Sequence, residues 1–591
     1  MNLASRVAAV WRYAWAIDRR TRGLLRMDLR AVIELSPEIE PDERHRALRL
    51  MADGSGDEGG SDSPAESGAE TGASGGGTTG GGDGSPFDVD DGYGPKQRVG
   101  LVLGPLLFGA IMLLPAPAGL SAAGKAVGAS SVWIVTWWLT ESIPIPATSL
   151  LPLVLFPIAA GLDPGVAAKP YANDLIFLFM GGFFLAVSFQ RWELHRRIAL
   201  LTIESIGSSP KRIVLGFMVA TAFLSMWISN TATTVMVTPI GLAVTLQVAD
   251  LVGESSLEVP TAQGEFNFGS ALMLAIAYSA TLGGVGTLIG TPPNIVFAGI
   301  VRDLFGRDIG FAQWMLYGLP IAVFGVIIAW LYITRIALPP RIEEIPGGLE
   351  VIDEQLKDLG SLSSPERRIF VVFTATALAW LVRKPLLNEF VPALGDSTIA
   401  IAAALVLFLT PSGTEREDGS KPFLLDWTTG LKIPWGVVLL FGGGLSMANA
   451  FSETGLAAWI GHGLTILEGV PVLVLLAAVV IITSFISEVA SNTATATMMM
   501  PILAGLAIGL DVHPYALMIA GATAASFVFM LPVSTPPNSV VFGSGYITVP
   551  EMVRVGLGLK LLGLIFVIVI AMFWLPIAWG IDVSTLPSWA I

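Results

Sequence analysis

The sequence Ser229-Asn230-Thr231-Ala232-Thr233 interrupts a long apolar run, and the same five residues recur as Ser491-Asn492-Thr493-Ala494-Thr495. Each copy is followed downstream by Thr-Pro-Pro-Asn, at Thr291 to Asn294 and again at Thr535 to Asn538. Polar residues and paired prolines within apolar segments of membrane length leave backbone groups unsatisfied unless they line a cavity or bind a ligand. Two such breaks in each of two matching halves are typical of a transporter with its substrate site near the bilayer midplane.

The composition places the chain among membrane proteins with many spans. Of its 591 residues, 53% are hydrophobic and 14% are charged, whereas soluble domains carry about 25% charged residues. The apolar runs predict an all-α fold, because the weak alternating pattern of a membrane β-barrel is missing from the sequence. The chain has no cysteine, which excludes disulfides, thiol catalysis and Cys-ligated metal sites.

The sequence divides into five predicted segments. They are a basic, aromatic N-terminal cytosolic segment (1–52), an acidic Gly/Ser-rich linker (53–98), the first membrane helix with the first repeat (99–336), a connector (337–366) and the second repeat (367–591). The linker is too polar to bury a core, and we expect it to be disordered. It also holds much of the acidity behind the formal net charge of -14.

The N-terminal segment lacks the uninterrupted apolar core of a cleaved signal peptide. Its arginines and aromatic residues suit the anionic cytoplasmic leaflet, although a soluble helix or a disordered segment is equally compatible with them. Lys96 and Arg98 precede the first apolar run, and the positive-inside rule therefore predicts a cytoplasmic N-terminus in the plasma membrane.

The apolar runs predict about eleven transmembrane helices in two inverted repeats. Several runs are too short to span, so we expect re-entrant hairpins and broken helices. The glycine-rich segments Leu178 to Phe183 and Leu440 to Leu445 predict the hairpin turns. Lys and Arg follow the first segment but not the second. Equivalent loops of opposite charge character lie on opposite membrane faces, which favours the inverted arrangement.

The breaks themselves suit two kinds of ion. A helix that stops within the membrane leaves carbonyls at one end, and the next helix presents N–H groups. Carbonyls and hydroxyls attract a small hard cation, whereas N–H groups and the positive helix end attract an anion. A serine lies four residues before each repeated serine, with Ser225 before Ser229 and Ser487 before Ser491. This spacing predicts that each pair shares one helical face and forms part of a Na+ site.

Each polar residue taken alone also has a structural explanation. Serine and threonine in membrane helices bond to the preceding turn, and asparagine holds helices together. The duplication of the whole pattern favours the binding interpretation. Prolines cannot donate an N–H, so each Thr-Pro-Pro is predicted to end a helix and to free carbonyls beside the break.

These motifs resemble the divalent anion/sodium symporter (DASS) family, which includes sodium-coupled dicarboxylate, citrate and sulfate carriers. The resemblance covers residues 99–580. It rests on Trp137 to Pro144, the two glycine-rich segments, both Ser-Asn-Thr breaks, and Ser526 to Asn538. It implies a homodimer in which a transport domain moves against a fixed scaffold, in an elevator type of alternating access.

The resemblance also implies two sodium sites and a substrate site. The first sodium site would comprise Ser225, Ser229, Asn230 and Gly290, and the second Ser487, Ser491, Asn492 and Ser534. The substrate carboxylates would be held by Asn230, Thr231, Asn492 and Thr493, with Thr291 and Thr535 close by.

The charges predict sodium symport. No Lys or Arg lies in either break, and burying a dianion without a compensating charge is costly. Bound Na+ would supply that charge, so inward Na+ movement would drive uptake of a divalent organic anion such as succinate, malate or fumarate. A sulfate or citrate symporter, a sodium-independent dicarboxylate exchanger and an uncoupled anion channel remain open. We expect no enzymatic activity, because the apolar runs carry no nucleophile–base pair or metal-ligand spacing. We also expect no organic cofactor and no nucleic-acid partner.

Other polar and aromatic residues carry weaker signals. Glu141 and Glu488 lie at or near membrane depth, where an acid is a functional candidate, and for Glu488 a structural hydrogen bond is equally plausible. His195 and His462 follow the glycine-rich segments and are expected at the membrane interfaces. Trp137 and Trp138 are expected to serve as interface or packing residues.

Overall fold

A computed structural model describes residues 94–207, 209–254, 259–261, 264–342, 350–415, 419–463 and 469–590. This part of the chain is helical, with an isolated β-bridge between Pro411 and Phe423. The predicted N-terminal segment and nearly all of the acidic linker lie outside the described residues. Lys96 and Arg98 belong to the first turn of the first described helix.

The first half of the described chain carries the helices that lead into and out of the Ser229 to Thr233 sequence. In chain order they are α1 (Pro95–Leu113), α2 (Ala122–Thr140), α3 (Ile145–Thr148), α4 (Leu151–Ala160), α5 (Pro164–Ala168), α6 (Asp174–Arg191), α7 (Leu194–Ile206), α8 (Pro210–Ser225), α9 (Asn230–Glu254), α10 (Asn267–Gly284), α11 (Pro292–Phe305) and α12 (Phe311–Tyr332). A 3-10 turn at Lys169–Ala172 leads into α6, and a π-helical turn at Ile333–Ala337 extends α12.

The second half follows a short connecting helix. The connecting helix is α13 (Glu350–Asp358), and the helices of the second half are α14 (Ser364–Val382), α15 (Asn388–Phe390), α16 (Asp396–Leu409), α17 (Trp427–Gly430), α18 (Trp435–Glu453), α19 (Leu456–Gly463), α20 (Val472–Ser487), α21 (Asn492–Gly509), α22 (Pro514–Ser526), α23 (Pro536–Phe542), α24 (Val549–Val569) and α25 (Leu575–Trp579). π-helical turns at Arg383–Leu387 and Ile570–Trp574 extend α14 and α24, and 3-10 turns lie at Pro532–Ser534 and Ser588–Ala590.

Long apolar helices make this an all-helical membrane protein with several spans. Within the described residues, seven helical segments are long and apolar enough to cross a bilayer. They are Pro95–Leu113, Pro164–Arg191, Asn230–Gly253, Phe311–Ala337, Ser364–Phe390, Trp435–Glu453 and Val549–Trp579. This number is below the eleven predicted, partly because the breaks shorten other helices. α8 and α20 each have 16 residues, fewer than the roughly 20 that one crossing requires.

The two halves repeat one order of helices. A glycine-rich helix (α6, α18) is followed by a short helix (α7, α19) and then by two helices separated by a break (α8 and α9, α20 and α21). Next come an apolar helix (α10, α22), a helix that starts at Pro-Pro (α11, α23) and a long apolar helix (α12, α24). The duplicated motifs therefore occupy equivalent places in two similar sets of helices.

The glycine-rich segments do not form turns. α6 and α18 continue as helices through their glycines. A Cβ at Gly181 would lie 2.7 Å from the backbone carbon of Ala400, and one at Gly443 would lie 2.5 Å from the carbonyl oxygen of Ser149. The predicted turn at each segment is therefore wrong, because these glycines allow neighbouring backbones to approach closely rather than reversing the chain.

The Thr-Pro-Pro sequences start helices rather than ending them. Thr291 and Thr535 are extended residues at the N-caps of α11 and α23, with both prolines in the first turn. The preceding helices have already ended, at Gly284 and Ser526. The prediction that Thr-Pro-Pro ends a helix is wrong because proline at the first helical positions has no N–H bond to lose and its fixed φ suits the helix.

A buried histidine is expected to make the stability of the protein depend on pH. His513 caps α22 by accepting a hydrogen bond from the backbone N–H of Tyr515 (3.2 Å), and its ring packs against Trp589. Burial lowers the pKa of His513 from 6.5 to about 4, with the nearby Asp582 carboxylate opposing this shift. The folded state therefore favours the neutral ring. Its contribution to stability is complete above about pH 6.5 and is lost as the pH falls toward 4.

We therefore expect His513→Asn to weaken the pH dependence of stability. Asparagine keeps a capping acceptor and does not titrate in this range. The thermal midpoint of the detergent-solubilised variant should fall less than that of the wild type as the pH is lowered from 6.5 toward 4. Equal falls in the two proteins would contradict the assignment.

Candidate substrate and sodium site

Three oxygen atoms gather at the first break, where the chain leaves α8 at Ser225 and enters α9 at Asn230. The hydroxyl Oγ of Ser225 lies 2.8 Å from the amide Oδ1 of Asn230 and 2.7 Å from the carbonyl oxygen of Ala280. A hydroxyl has one proton, so it cannot donate to both oxygens at once. We call this group the first oxygen cluster. It has more acceptors than protons, an arrangement that favours a small hard cation.

Two glycines bring the end of α10 against the first oxygen cluster. A Cβ at Gly284 would lie 2.3 Å from Oδ1 of Asn230, and a Cβ at Gly290 would lie 2.4 Å from the carbonyl oxygen of Gly284. The structure therefore brings Gly290 next to Gly284, which in turn lies against the amide of Asn230. Three of the residues predicted for the first sodium site, Ser225, Asn230 and Gly290, are connected in this way.

The second break repeats the arrangement. α20 ends at Ser487 and α21 starts at Asn492. The hydroxyl of Ser487 lies 3.2 Å from Oδ1 of Asn492 and 2.6 Å from the carbonyl oxygen of Ala525. These atoms form the second oxygen cluster. Ser534 lies in the short 3-10 turn before α23, where its hydroxyl donates to the carbonyl of Leu531 (2.6 Å).

The paired serines do not share one helical face. Ser225 and Ser487 are the last residues of their helices, and the repeated serines, Ser229 and Ser491, lie outside the helix. The hydroxyl of Ser229 instead accepts a hydrogen bond from the backbone N–H of Ala232 (3.3 Å). The predicted i, i+4 face is therefore wrong, because the chain leaves the helix between the two serines of each pair.

The polar residues at the two breaks differ from one another in their exposure. Asn230, Thr231 and Asn492 are half-buried, whereas Ser225 and Ser487 are fully buried. Thr493 and the two N-cap threonines are also nearly buried. The breaks thus expose amide groups next to the first turns of α9 and α21, whose N–H groups and positive dipole ends favour carboxylates.

Buried hydroxyls without partners occur at equivalent positions in both halves. Within the described residues, the hydroxyls of Thr221 and Thr233 in the first half have no hydrogen-bond partner, and neither do those of Thr483 and Thr495 in the second. Unpaired buried polar groups are costly in a membrane protein. Their duplication around the two breaks is consistent with sites that bind polar ligands.

The helices that start at the breaks pack across the two halves. α9, which starts at Asn230, packs against α23, which starts after Thr535, while α21, which starts at Asn492, packs against α11, which starts after Thr291. A hydrogen bond from the hydroxyl of Tyr278 in α10 to the carbonyl of Phe529 (2.8 Å) also joins the halves. The two breaks therefore belong to one helical body in which each half contacts the duplicated motif of the other.

Two asparagines near the breaks were not predicted. The side-chain amide of Asn294 donates to the carbonyls of Gly284 (3.0 Å) and Thr287 (2.7 Å), and that of Asn538 donates to the carbonyl of Leu531 (3.1 Å). They fix the loops that precede α11 and α23. The signal was available, since each is the fourth residue of a duplicated Thr-Pro-Pro-Asn sequence.

A buried lysine beside the second break was also missed. Lys560 in α24 forms an ion pair with Glu488, with Nζ 2.9 Å from Oε1. The sequence left a functional role or a structural hydrogen bond open for Glu488, and the structure shows a structural contact. Lys560 carries no local signal, because the two residues are 72 positions apart.

The remaining candidates lie away from the breaks or pack within the fold. Glu141 is an exposed residue at the end of α2. The indole N–H of Trp137 donates to the carbonyl of Gly100 (3.0 Å), and that of Trp138 donates to the hydroxyl of Ser149 (3.2 Å). These contacts confirm the prediction of packing residues. His195 contacts the carbonyl of Phe189, and His462 lies exposed near the end of α19.

Comparison with known proteins identifies the family. Residues 96–580 match the family described as the sodium:sulfate symporter transmembrane region. The chain belongs to this family. The resemblance to the divalent anion/sodium symporters is thereby confirmed, and so is the prediction of a transporter rather than an enzyme.

Curated members of the symporter family are similar along most of the chain. The sodium-dependent dicarboxylate transporter SdcS of Staphylococcus saprophyticus is 44% identical over 83% of this chain and 94% of its own length. A protein of the same name from Staphylococcus aureus is 44% identical over 83% of this chain and 93% of its own. Among solved structures, the YdaH transporter of Alcanivorax borkumensis aligns with a TM-score of 0.49 and 14% identity, covering 70% of this chain and 87% of that one.

Proposed function

We propose that this symporter-family member is a secondary active transporter that couples inward Na+ movement to uptake of a divalent organic anion such as succinate, malate or fumarate. The observation that carries the proposal is the duplicated oxygen cluster, in which a serine hydroxyl, an asparagine Oδ1 and a backbone carbonyl oxygen gather beside the start of a long helix. The similar Staphylococcus proteins are named as sodium-dependent dicarboxylate transporters, which supports both the ion and the substrate class.

The residues divide into cation and anion groups. The first Na+ would bind at Ser225, Ser229, Asn230 and Gly290, and the second at Ser487, Ser491, Asn492 and Ser534. The substrate carboxylates would contact Asn230, Thr231, Asn492 and Thr493, with Thr291 and Thr535 nearby. Each asparagine amide has an oxygen for the cation and an N–H group for the anion. Cation binding would therefore orient the amide and reduce the cost of bringing a dianion into the site, which couples the two affinities.

The larger architecture belongs to the same proposal. We infer about eleven crossings in two inverted repeats, residues 99–336 and 367–591, joined by the connector 337–366. The protein would act as a homodimer in the plasma membrane, with the N-terminus in the cytoplasm. An elevator movement of a transport domain would expose the site alternately to the two sides. The matching order of helices in the two halves and the positive residues at the start of α1 support this arrangement.

A sulfate or citrate substrate is the second candidate. The family description names sodium and sulfate, and the oxygens of sulfate, citrate and dicarboxylates accept similar hydrogen bonds. A sodium-independent dicarboxylate exchanger is less favoured. Lys560, the cation found beside the second break, is already paired with Glu488, which leaves it little net charge with which to neutralise a dianion.

Uptake by purified protein in proteoliposomes tests the proposal. Labelled succinate should accumulate when an inward Na+ gradient is imposed and not when K+ replaces Na+. Unlabelled malate or fumarate should compete more strongly than citrate or sulfate. Accumulation that is equal in K+ would contradict sodium coupling, and stronger competition by sulfate or citrate would transfer the proposal to that substrate.

A further inference from the structure

A fully buried ion pair lies directly beside the second break. Lys560 is 0% exposed and Glu488 is 3% exposed, and their charged atoms are 2.9 Å apart. Charged side chains within membrane segments are costly and commonly serve a function. Glu488 lies between two residues of the second oxygen cluster. Ser487, directly before it, supplies the hydroxyl of the cluster, and Asn492, four residues after it, supplies the amide oxygen.

The hydrogen bonds of the pair join three segments around the break. Nζ of Lys560 donates to the carbonyl of Ser484 in the last turn of α20 (2.9 Å) and to that of Phe527 just after α22 (3.4 Å). The carboxylate of Glu488 accepts from the backbone N–H groups of Phe529 (3.0 Å) and Met530 (3.3 Å). The ion pair thus ties α20, the segment after α22 and α24 together.

The same segments supply the oxygens of the second cluster. The contact between Ser487 and the carbonyl of Ala525 joins the end of α20 to the end of α22. Glu488 follows Ser487 in the break, and it bonds to the backbone N–H of Phe529, four residues after Ala525. The carboxylate is already occupied by two N–H groups and by Lys560. Its role toward a cation would therefore be to fix the neighbouring oxygens rather than to bind the ion.

Among the residues that the structure describes, no ion pair lies at the first break. Aligning the Ser-Asn-Thr sequences pairs Met226 with Glu488. Gly318 in α12 and Gly556 in α24 occupy equivalent positions. A Cβ at Gly318 would lie 2.4 Å from the carbonyl oxygen of Val285, and a Cβ at Gly556 would lie 2.1 Å from the carbonyl oxygen of Phe529. Four residues after these glycines, the first half has Ala322 where the second has Lys560.

Neutral hydrogen bonds lie in the corresponding region of the first half. The hydroxyl of Thr287 donates to the carbonyl of Met226, and the indole N–H of Trp314 donates to the carbonyl of Val285 (2.9 Å). A methionine and an alanine are therefore compatible with this fold around a break. The fold alone does not require the charges of the second half.

We propose that Lys560 and Glu488 are positioning residues specific to the second sodium site. The inference rests on the proposed function. The pair holds the end of α20 against the segment after α22, so that the three oxygens of the second cluster keep the spacing that a cation requires. Removing the pair should weaken Na+ binding at this site while leaving the substrate contacts at Asn230 and Asn492 in place.

The test variant gives the second half the residues of the first. Glu488→Met combined with Lys560→Ala removes both charges at once and leaves neither unpaired. We expect the Na+ concentration for half-maximal succinate uptake to rise by about tenfold, as is typical when groups that orient metal ligands are removed. The maximal rate at saturating Na+ should change much less. The thermal stabilisation of the purified protein by Na+ should require correspondingly more Na+.

A second buried ion pair provides the matched control. Arg383 and Asp396 are also buried and 2.6 Å apart, and they join α16 to the π-helical turn that extends α14. Asp396 also accepts from the backbone N–H of Phe311 at the start of α12 (2.9 Å), and none of these contacts involves α20, α22 or the second oxygen cluster. Arg383→Met with Asp396→Asn should lower the thermal midpoint without changing the half-saturating Na+ concentration. Glu488→Gln combined with Lys560→Met serves as a second test variant, because the two new side chains nearly keep the original volumes, remove both charges and leave neither unpaired.

The outcomes separate the two proposals. If wild-type uptake does not depend on Na+, the proposed function fails. If wild-type uptake depends on Na+ but the half-saturating concentration is unchanged in the folded double variant, only the positioning role is overturned. If the Glu488→Met/Lys560→Ala variant does not fold, an unchanged half-saturating concentration in the Glu488→Gln/Lys560→Met variant overturns the role, and a raised one supports it.

Discussion

Replacing either Asn230 or Asn492 with alanine is expected to abolish Na+-driven uptake while leaving the protein folded. Each side chain contributes the amide oxygen of an oxygen cluster, 2.8 Å from Ser225 in the first and 3.2 Å from Ser487 in the second. Both asparagines are half-buried, so the fold should tolerate the loss of the amide. A hydrogen bond to a charged group contributes about 1.5–3 kcal/mol, and each amide would contact both a cation and the dianion. Loss of one amide should therefore reduce uptake by about a hundredfold or more.

Asn267→Ala is the matched control for these variants. Asn267 is the first residue of α10, at the end of the helix opposite to Gly284, and its side chain contacts the carbonyl of Pro339. Uptake by this variant should remain close to that of the wild type. Unchanged uptake in both Asn230→Ala and Asn492→Ala would contradict the assignment of the site.

Gly284→Ala is expected to have a comparable effect without any change of polar groups. The added Cβ would lie 2.3 Å from Oδ1 of Asn230, a contact that real Cβ atoms essentially never show. The amide is the free end of a side chain, so it can turn away at little cost to the fold. Turning would remove its oxygen from the first cluster. We therefore expect normal thermal stability in the absence of Na+, a loss of uptake, and a weaker stabilisation by Na+, because only the second oxygen cluster remains intact.

Two other glycines define the controls for Gly284→Ala. Among the described residues, no atom outside the backbone of its own helix lies within 4 Å of a Cβ added to Gly109 in α1, so Gly109→Ala should transport normally. A Cβ at Gly283 would instead lie 2.5 Å from the Cα of Ala222. Because backbone cannot turn aside, Gly283→Ala should reduce the yield of folded protein. Normal Na+-dependent uptake by Gly284→Ala would show that the amide of Asn230 is not needed in its present orientation.

The breaks were predictable because the motif that forms them occurs twice in the sequence. An isolated Ser-Asn-Thr in a membrane helix is compatible with ordinary packing, but two copies at equivalent places indicate a shared requirement. The helix boundaries follow from the same residues, since α9 starts at Asn230 and α21 at Asn492. Ser225 and Asn230 were also predicted to belong to the same sodium site, but the way in which their side chains meet was not predicted. The serine bonds across the break rather than along one helical face.

Other features could not be predicted because they depend on backbones that are distant in the sequence. A glycine in an apolar run is compatible with either a turn or a close contact between helices. The position of Ala400 shows that Gly181 makes a close contact. Thr-Pro-Pro can end one helix or start the next. In the structure α10 ends at Gly284, and a loop separates it from Thr291 at the start of α11. The partner of Glu488 lies in another helix, where neither spacing nor composition identifies it.

Crosslinking across the two breaks tests the central claim that they form one pocket. The chain has no native cysteine, so Thr231→Cys and Thr493→Cys can be combined without removing other thiols. A short bifunctional thiol reagent should join the two cysteines within one chain, and Na+ together with succinate should protect them. Na+ alone should protect less, because the dianion occupies the space between the breaks. Separate labelling of the two cysteines without crosslinking, at rates unaffected by Na+ and succinate, would contradict the claim.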